Sequence, residues 1–123
     1  MNDYLKYYLP VGIVGAACTG FILGGNWVWL GFATFPALAV GDAFLSPNLG
    51  RRRMKPGFWA TLPLWICGYA ALGIYFLAAW RVSIESLDAF QLTGSIASLI
   101  WVAVVPGSAA GHELYHMRHM PSR

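Results

Sequence analysis

Phe21-Ile22-Leu23-Gly24-Gly25-Asn26-Trp27-Val28-Trp29 is the stretch on which the architecture turns. Two glycines and an asparagine interrupt an apolar sequence that otherwise extends from residue 5 to residue 45. An interruption this short is a turn signal that leaves room only for a tight helical hairpin. The flanking runs, 5–23 and 27–45, each approach the roughly 20 apolar residues that a helix needs to cross a bilayer core.

Two further apolar runs follow, over 58–80 and 90–111. The whole chain has 123 residues, 58% hydrophobic and 11% charged. A soluble domain carries about 25% charged residues, so this chain has too few to cover a globular surface. The expectation is an all-α, polytopic membrane protein with about four transmembrane helices. No repeat, low-complexity tract or domain linker divides it, so residues 1–123 form a single transmembrane region. Lys6 before an apolar stretch, with Gly15, Ala16 and Ala17 after it, imitates a signal peptide. The second run begins almost at once, which favours a retained helix.

Charge sets the orientation. Lys6, Arg51, Arg52, Arg53, Lys55, Arg118 and Arg123 fall on one side if four helices alternate, and Arg81, beside Glu85 and Asp88, falls on the other. The positive-inside rule then places both termini and the histidine segment in the cytoplasm. The expected location is the inner (plasma) membrane. The same placement accounts for the net charge of +3 without nucleic acid as a partner. Tyr4, Tyr7, Tyr8 and Trp59 fall at the cytoplasmic headgroup level, and Trp27, Trp29 and Trp80 at the opposite one. Trp65 and Trp101 lie deeper, where they pack between helices or line a pocket, packing being the favoured reading. Cys18 and Cys67 sit inside apolar runs with no Cys-x-x-Cys pairing, as expected of small packing residues. The cluster Arg51–Arg53 with Lys55 reads as a topological anchor, with docking of an acidic electron-transfer partner as the other reading.

Chemistry is concentrated at the end of the fourth run, in Gly111-His112-Glu113-Leu114-Tyr115-His116-Met117-Arg118-His119. A helix turns about 100° per residue, so His112, His116 and His119 fall within roughly 60° of one another. Imidazoles so placed can share a coordination sphere of zinc, copper or iron. Glu113 lies roughly 100° from His112. It would be the general base of a zinc protease or a carboxylate near an iron site. Asp42 is the only carboxylate inside an apolar run, at the same cytoplasmic depth as the histidines. It can orient a ligand imidazole through the ring N–H, or reach the interface and pair with the arginine run. Pro10, Pro36, Pro63 and Pro106 each fall within a span. A bend at Pro106-Gly107 would either aim the histidine stripe into the bundle or be an ordinary kink.

With these residues in place, the chain resembles the membrane-bound non-haem di-iron monooxygenases of the xylene type. Alkane 1-monooxygenases and membrane fatty-acid desaturase-like proteins are wider relatives. The resemblance is carried by Tyr7-Tyr8-Leu9-Pro10, Gly24-Gly25-Asn26-Trp27-Val28-Trp29-Leu30-Gly31, Ala33-Thr34-Phe35-Pro36-Ala37-Leu38, Asp42 and the histidine segment. His-Glu-Leu-x-His is the first histidine box of that family.

The resemblance implies hydroxylation of a hydrophobic substrate (a xylene or other methylarene, cymene or an alkane). One atom of O₂ enters a C–H bond and the other is reduced to water. It also implies two irons in the complete enzyme, and electrons from NADH through a flavin/[2Fe–2S] reductase or rubredoxin. His112 and His116 match box ligands, and His119 has a counterpart in xylene-type sequences. Glu113 and Asp42 would stand behind the ligands. Family members carry later His-x-x-His-His boxes and a His-Tyr-Gly segment, which the 123 residues do not contain. The chain is therefore expected to be the N-terminal part of a larger hydroxylase and inactive alone. Two other readings fit the box. One is a membrane zinc metalloprotease using Glu113, and the other a small non-enzymatic membrane protein binding metal or haem.

Overall fold

The computed structural model describes residues 3–44 and 57–116, and every regular element among them is helical. Helix α1 spans Asp3–Leu23, followed by a 3₁₀ turn at Gly25–Trp29 and helix α2 at Leu30–Phe44. Helix α3 spans Phe58–Ile84 and α4 Ala89–Val102. A π turn at Ala103–Gly107 joins α4 to α5, Ser108–His116, without a break.

The hairpin expected at Gly24-Gly25-Asn26 is present. Gly24 (φ 74°) and Gly25 (φ 54°) occupy the left-handed region, which side chains disfavour. The second run therefore opens in a 3₁₀ turn, not directly in an α-helix. At α4, Asp88 and Gln91 form a reciprocal capping box: the Gln91 amide donates to Asp88 Oδ1 (2.8 Å) and the Asp88 amide to Gln91 Oε1 (3.1 Å).

Side-chain bonds define the directions. Tyr8 Oη donates to the Trp59 carbonyl (3.2 Å) and Arg81 Nε to the Phe21 carbonyl (2.6 Å), so α1 and α3 run parallel. Gln91 bonds Asn26, Ser98 bonds Val28 and Trp101 bonds Thr34, so α2 and α4 also run parallel. Up-down-up-down topology results. One end of the bundle holds the glycine turn, Arg81, Glu85 and Asp88. The other holds the start of α1 and α3, the end of α2, and α5.

Whereas α1 buries Ile13, Val14, Ala17 and Phe21, the inward faces of α3 and α4 are largely made of small groups. On α3 they are Pro63, Cys67, Ala71, Ile74, Ala78 and Arg81, spaced at three or four. On α4 they are Gly94, Ser95, Ser98 and Val102. Gly31 of α2 is where three helices meet: a Cβ there would lie 2.7 Å from Ala17 Cβ and 2.9 Å from Ser98 Cβ. Many large apolar side chains point out, among them Tyr69, Leu72 and Phe76 of α3 and Ile96, Ile100 and Val104 along α4 and the π turn. Close helix approach through small residues with bulky residues outside is the arrangement expected in lipid.

Phe58–Ile84 and Ala89–His112 are long and apolar enough to cross a membrane, and Tyr8–Leu23 is a shorter apolar stretch. Their membrane-length windows are only 22% and 28% buried within the molecule, unlike a core helix of a soluble protein. The composition and these helices suggest membrane association.

Trp65, half-buried, stacks on Tyr69 at 5.8 Å, and Trp101 packs edge-on to Phe35 at 4.9 Å, both as packing residues. Cys67 is in the core, Cys18 packs against it, and both are free thiols. Trp29 also packs within the bundle. Its indole is half-buried over Gly94 and against Phe90 (4.9 Å), with Nε1 buried and without a hydrogen-bond partner. Gly94 provides the space that draws the ring into the α2–α4 seam.

Candidate metal centre

The histidine segment is positioned by what happens at Pro106. Proline has no N–H, so an α-helix running through it leaves the carbonyl four residues earlier, here Val102, without its partner. The helix widens instead, and the Ser108 N–H reaches the Ala103 carbonyl five residues back. Ser108 Oγ donates to the Val104 carbonyl.

The widening has a second effect. Ser98, Val102, Pro106 and Ala110 are all buried, at a spacing of four. In a regular α-helix that spacing drifts about 40° per step. The π turn accommodates an extra residue and keeps the small face directed inward. Gly107 fits α5 closely against α3, since a Cβ there would lie 2.9 Å from Ala71 Cβ.

His112 follows Ala110 by two residues, about 200° around the helix. Ala110 is buried and His112 exposed. The Pro106-Gly107 segment thus carries His112 on the face of α5 directed away from α1–α4. Position 116 lies one turn further along the same face of α5. His119 falls outside the described residues, as do the side chains of Glu113, His116 and Asp42. Asp42 is on α2, at the same end of the bundle as α5. Among the described residues α2 packs on α1, the 3₁₀ turn and α4, and does not contact α5. The structure therefore brings positions 112 and 116 together on one helix face and leaves the Asp42 helix apart from them.

No group of three or more His, Cys, Asp or Glu gathers for a metal among the described residues. An outward-facing imidazole with a second histidine one turn on is a partial donor set. Two imidazoles one turn apart are a donor type that transition metals take.

Two polar features were not singled out in the sequence. Ser98, fully buried, bridges backbone groups of the 3₁₀ turn and α2. Arg81, counted only as a charge, is buried at the turn end. The available signals were a serine in an apolar run and a lone arginine four residues before a glutamate.

The chain is 40% identical over 120 residues to the xylene/toluene monooxygenase hydroxylase component XylM of Pseudomonas putida. The match takes in 95% of this chain and 32% of that protein, so the chain spans about a third of the relative's length. No family model matches. No solved structure matches. The resemblance expected from the Gly-Gly-Asn-Trp and histidine-box segments is borne out by this identity.

Proposed function

We propose that the chain is the N-terminal membrane region of a non-haem di-iron monooxygenase that hydroxylates C–H bonds of hydrophobic molecules such as methylarenes, cymene or alkanes. The observation that carries this reading is His112 on the outward face of α5, one turn before His116, in a chain 40% identical to XylM. Iron, when bound, would supply O₂ activation, with one oxygen atom going to substrate and the other to water.

The chain's own residues would hold that iron and fix its place. His112 and His116 would ligate through neutral imidazole nitrogens, with His119 as a third donor. Glu113 would act behind the ligands by accepting a ring N–H bond. Asp42, whose helix does not contact α5 among the described residues, would reach the interface instead. Since the α5 ligand face points away from α1–α4, the remaining ligands would come from the rest of the protein. The π turn and Gly107 would hold the ligand helix against α3.

The reading extends to the membrane. At 1.5 Å per residue, α1 is about 31 Å long and α3 about 40 Å. The 3₁₀ turn and α2 together reach about 32 Å, near the bilayer core thickness. Four spans with both termini in the cytoplasm put the metal end at the inner face of the plasma membrane. There a reductase, of the flavin/[2Fe–2S] or rubredoxin kind, would deliver electrons from NADH. Apolar substrate would enter from lipid.

The test is His112→Ala in the full-length protein, with iron content, hydroxylation and membrane recovery measured together. Iron and turnover should fall at least about a hundredfold with recovery unchanged. Turnover retained at full iron occupancy would reject the ligand assignment. Zinc in place of iron in the parent would favour the protease reading, and a Soret band a haem protein.

A further inference from the structure

Arg81 lies on the inner face of α3 with its side chain 10% exposed. A buried guanidinium is costly unless its charge and donors are matched. Here Nε donates to the Phe21 carbonyl at 2.6 Å, one terminal nitrogen to the Ile22 carbonyl, and the other to Glu85 Oε2 at 3.1 Å. Phe21 and Ile22 belong to the last turn of α1, where carbonyls lack intrahelical partners and the helix end is negative. The Trp80 ring lies 5.0 Å from the guanidinium carbon, a further contact for the cation.

Glu85 works on the other side of the same turn. Its two carboxylate oxygens accept from the Gly25 N–H at 3.2 and 3.3 Å. Gly25 opens the 3₁₀ turn, where amide donors lack intrahelical partners. Cation thus meets the end of one helix and anion the start of the next, with Gly24 between them. A Cβ on Gly24 would fall 2.6 Å from an Arg81 terminal nitrogen, so the ion pair and the glycine turn fit only each other.

We propose that Arg81 and Glu85 form a latch that fastens the α1–α2 hairpin to the α3–α4 hairpin at the turn end. The latch closes when the two hairpins dock. It leaves the opposite end, where α5 carries His112, held by packing and the Tyr8–Trp59 bond. The inference stands on these contacts and is independent of the monooxygenase reading.

The experiment uses the full chain in native membranes, with Cys18 and Cys67 replaced by alanine and cysteines placed by Asn26→Cys and Gln91→Cys. The Asn26 and Gln91 side chains approach to 3.4 Å, one on each hairpin. A short bifunctional thiol reagent is added, the sample is denatured, and trypsin cleaves after its lysines and arginines, among them Arg51, Arg52 and Arg53 between the two hairpins. The peptides carrying residues 26 and 91 stay joined only where the reagent has bridged the hairpins. Arg81→Ala and Glu85→Ala should each lower the joined fraction at least about tenfold, as expected when a buried charge loses its partner, with the chain still in the membrane fraction. Arg81→Lys, which keeps the charge and loses the multiple bonds to α1, should fall between. Undiminished joining in Glu85→Ala would overturn the latch, whatever the arginine variants do.

Discussion

Ser98 shows how much one hydroxyl can organise. Its Oγ accepts from the Phe32 N–H at 3.0 Å and donates to the Val28 carbonyl at 2.7 Å. Residues 28 and 32 are four apart, so an α-helix would bond them directly. A side chain from α4 inserted in that pair marks the place where the 3₁₀ turn becomes α2. Ser98→Ala should therefore cost about 1–3 kcal/mol, since two buried backbone groups lose their shared partner. The check is thermal unfolding in detergent, where Ser98→Thr should not rescue because Gly31 leaves no space for a methyl group. Little of this was legible beforehand. A serine in an apolar run is equally compatible with lipid, with its own helix or with a neighbour, and the choice depends on which helix arrives opposite it. His112 and His116 were legible because both lie on one helix, where spacing fixes the face. Which way that face points was not, because it depends on the hydrogen-bond ring closed around Pro106.

At the scale of elements, the outer limits of the helices followed from hydropathy and the turn from its glycines. The fourth run illustrates what periodicity leaves open. Apolar residues are found all around it, so the sequence marks a helix without showing that one turn is π. The inward face became visible only as the small residues Ser98, Val102, Pro106 and Ala110. Gly107 is the sensitive point of this element. Gly107→Leu would drive a branched side chain against Ala71 and push α5 off α3, at a cost of about 1–3 kcal/mol. In the full-length protein the same variant should also lower iron retention, measured as metal per protein after desalting. Ala71→Gly should restore part of it by returning the space. At the first hairpin, Gly24→Ala combines an unfavourable φ with a clash at Arg81. It should lower the unfolding temperature more than Gly41→Ala, a position with open space around its Cα.

The whole molecule is a bundle with chemically different ends, the ion pair at one and the histidine helix at the other. If the charge asymmetry sets orientation as proposed, a cysteine replacing the exposed Ser86, between α3 and α4, should react with a membrane-impermeant thiol reagent from outside intact cells. One at Asn48 should react only after permeabilisation. The reverse pattern would invert the bundle. The four apolar runs and their alternation were legible from composition and punctuation alone. The pairing of α1 with α3 and of α2 with α4 was not, because much of it is carried by small residues, which leave no hydrophobic stripe to follow. That choice of interior also shapes how the chain can change over generations. In a water-soluble protein the inside resists truncation and the outside drifts freely among polar residues. Here Gly31, Gly94 and Ala71 should resist any enlargement. Leu72, Phe76 and Ile100 should exchange freely with any other greasy side chain and refuse only charge. A deep scan of every codon would come out as the photographic negative of one from the cytosol.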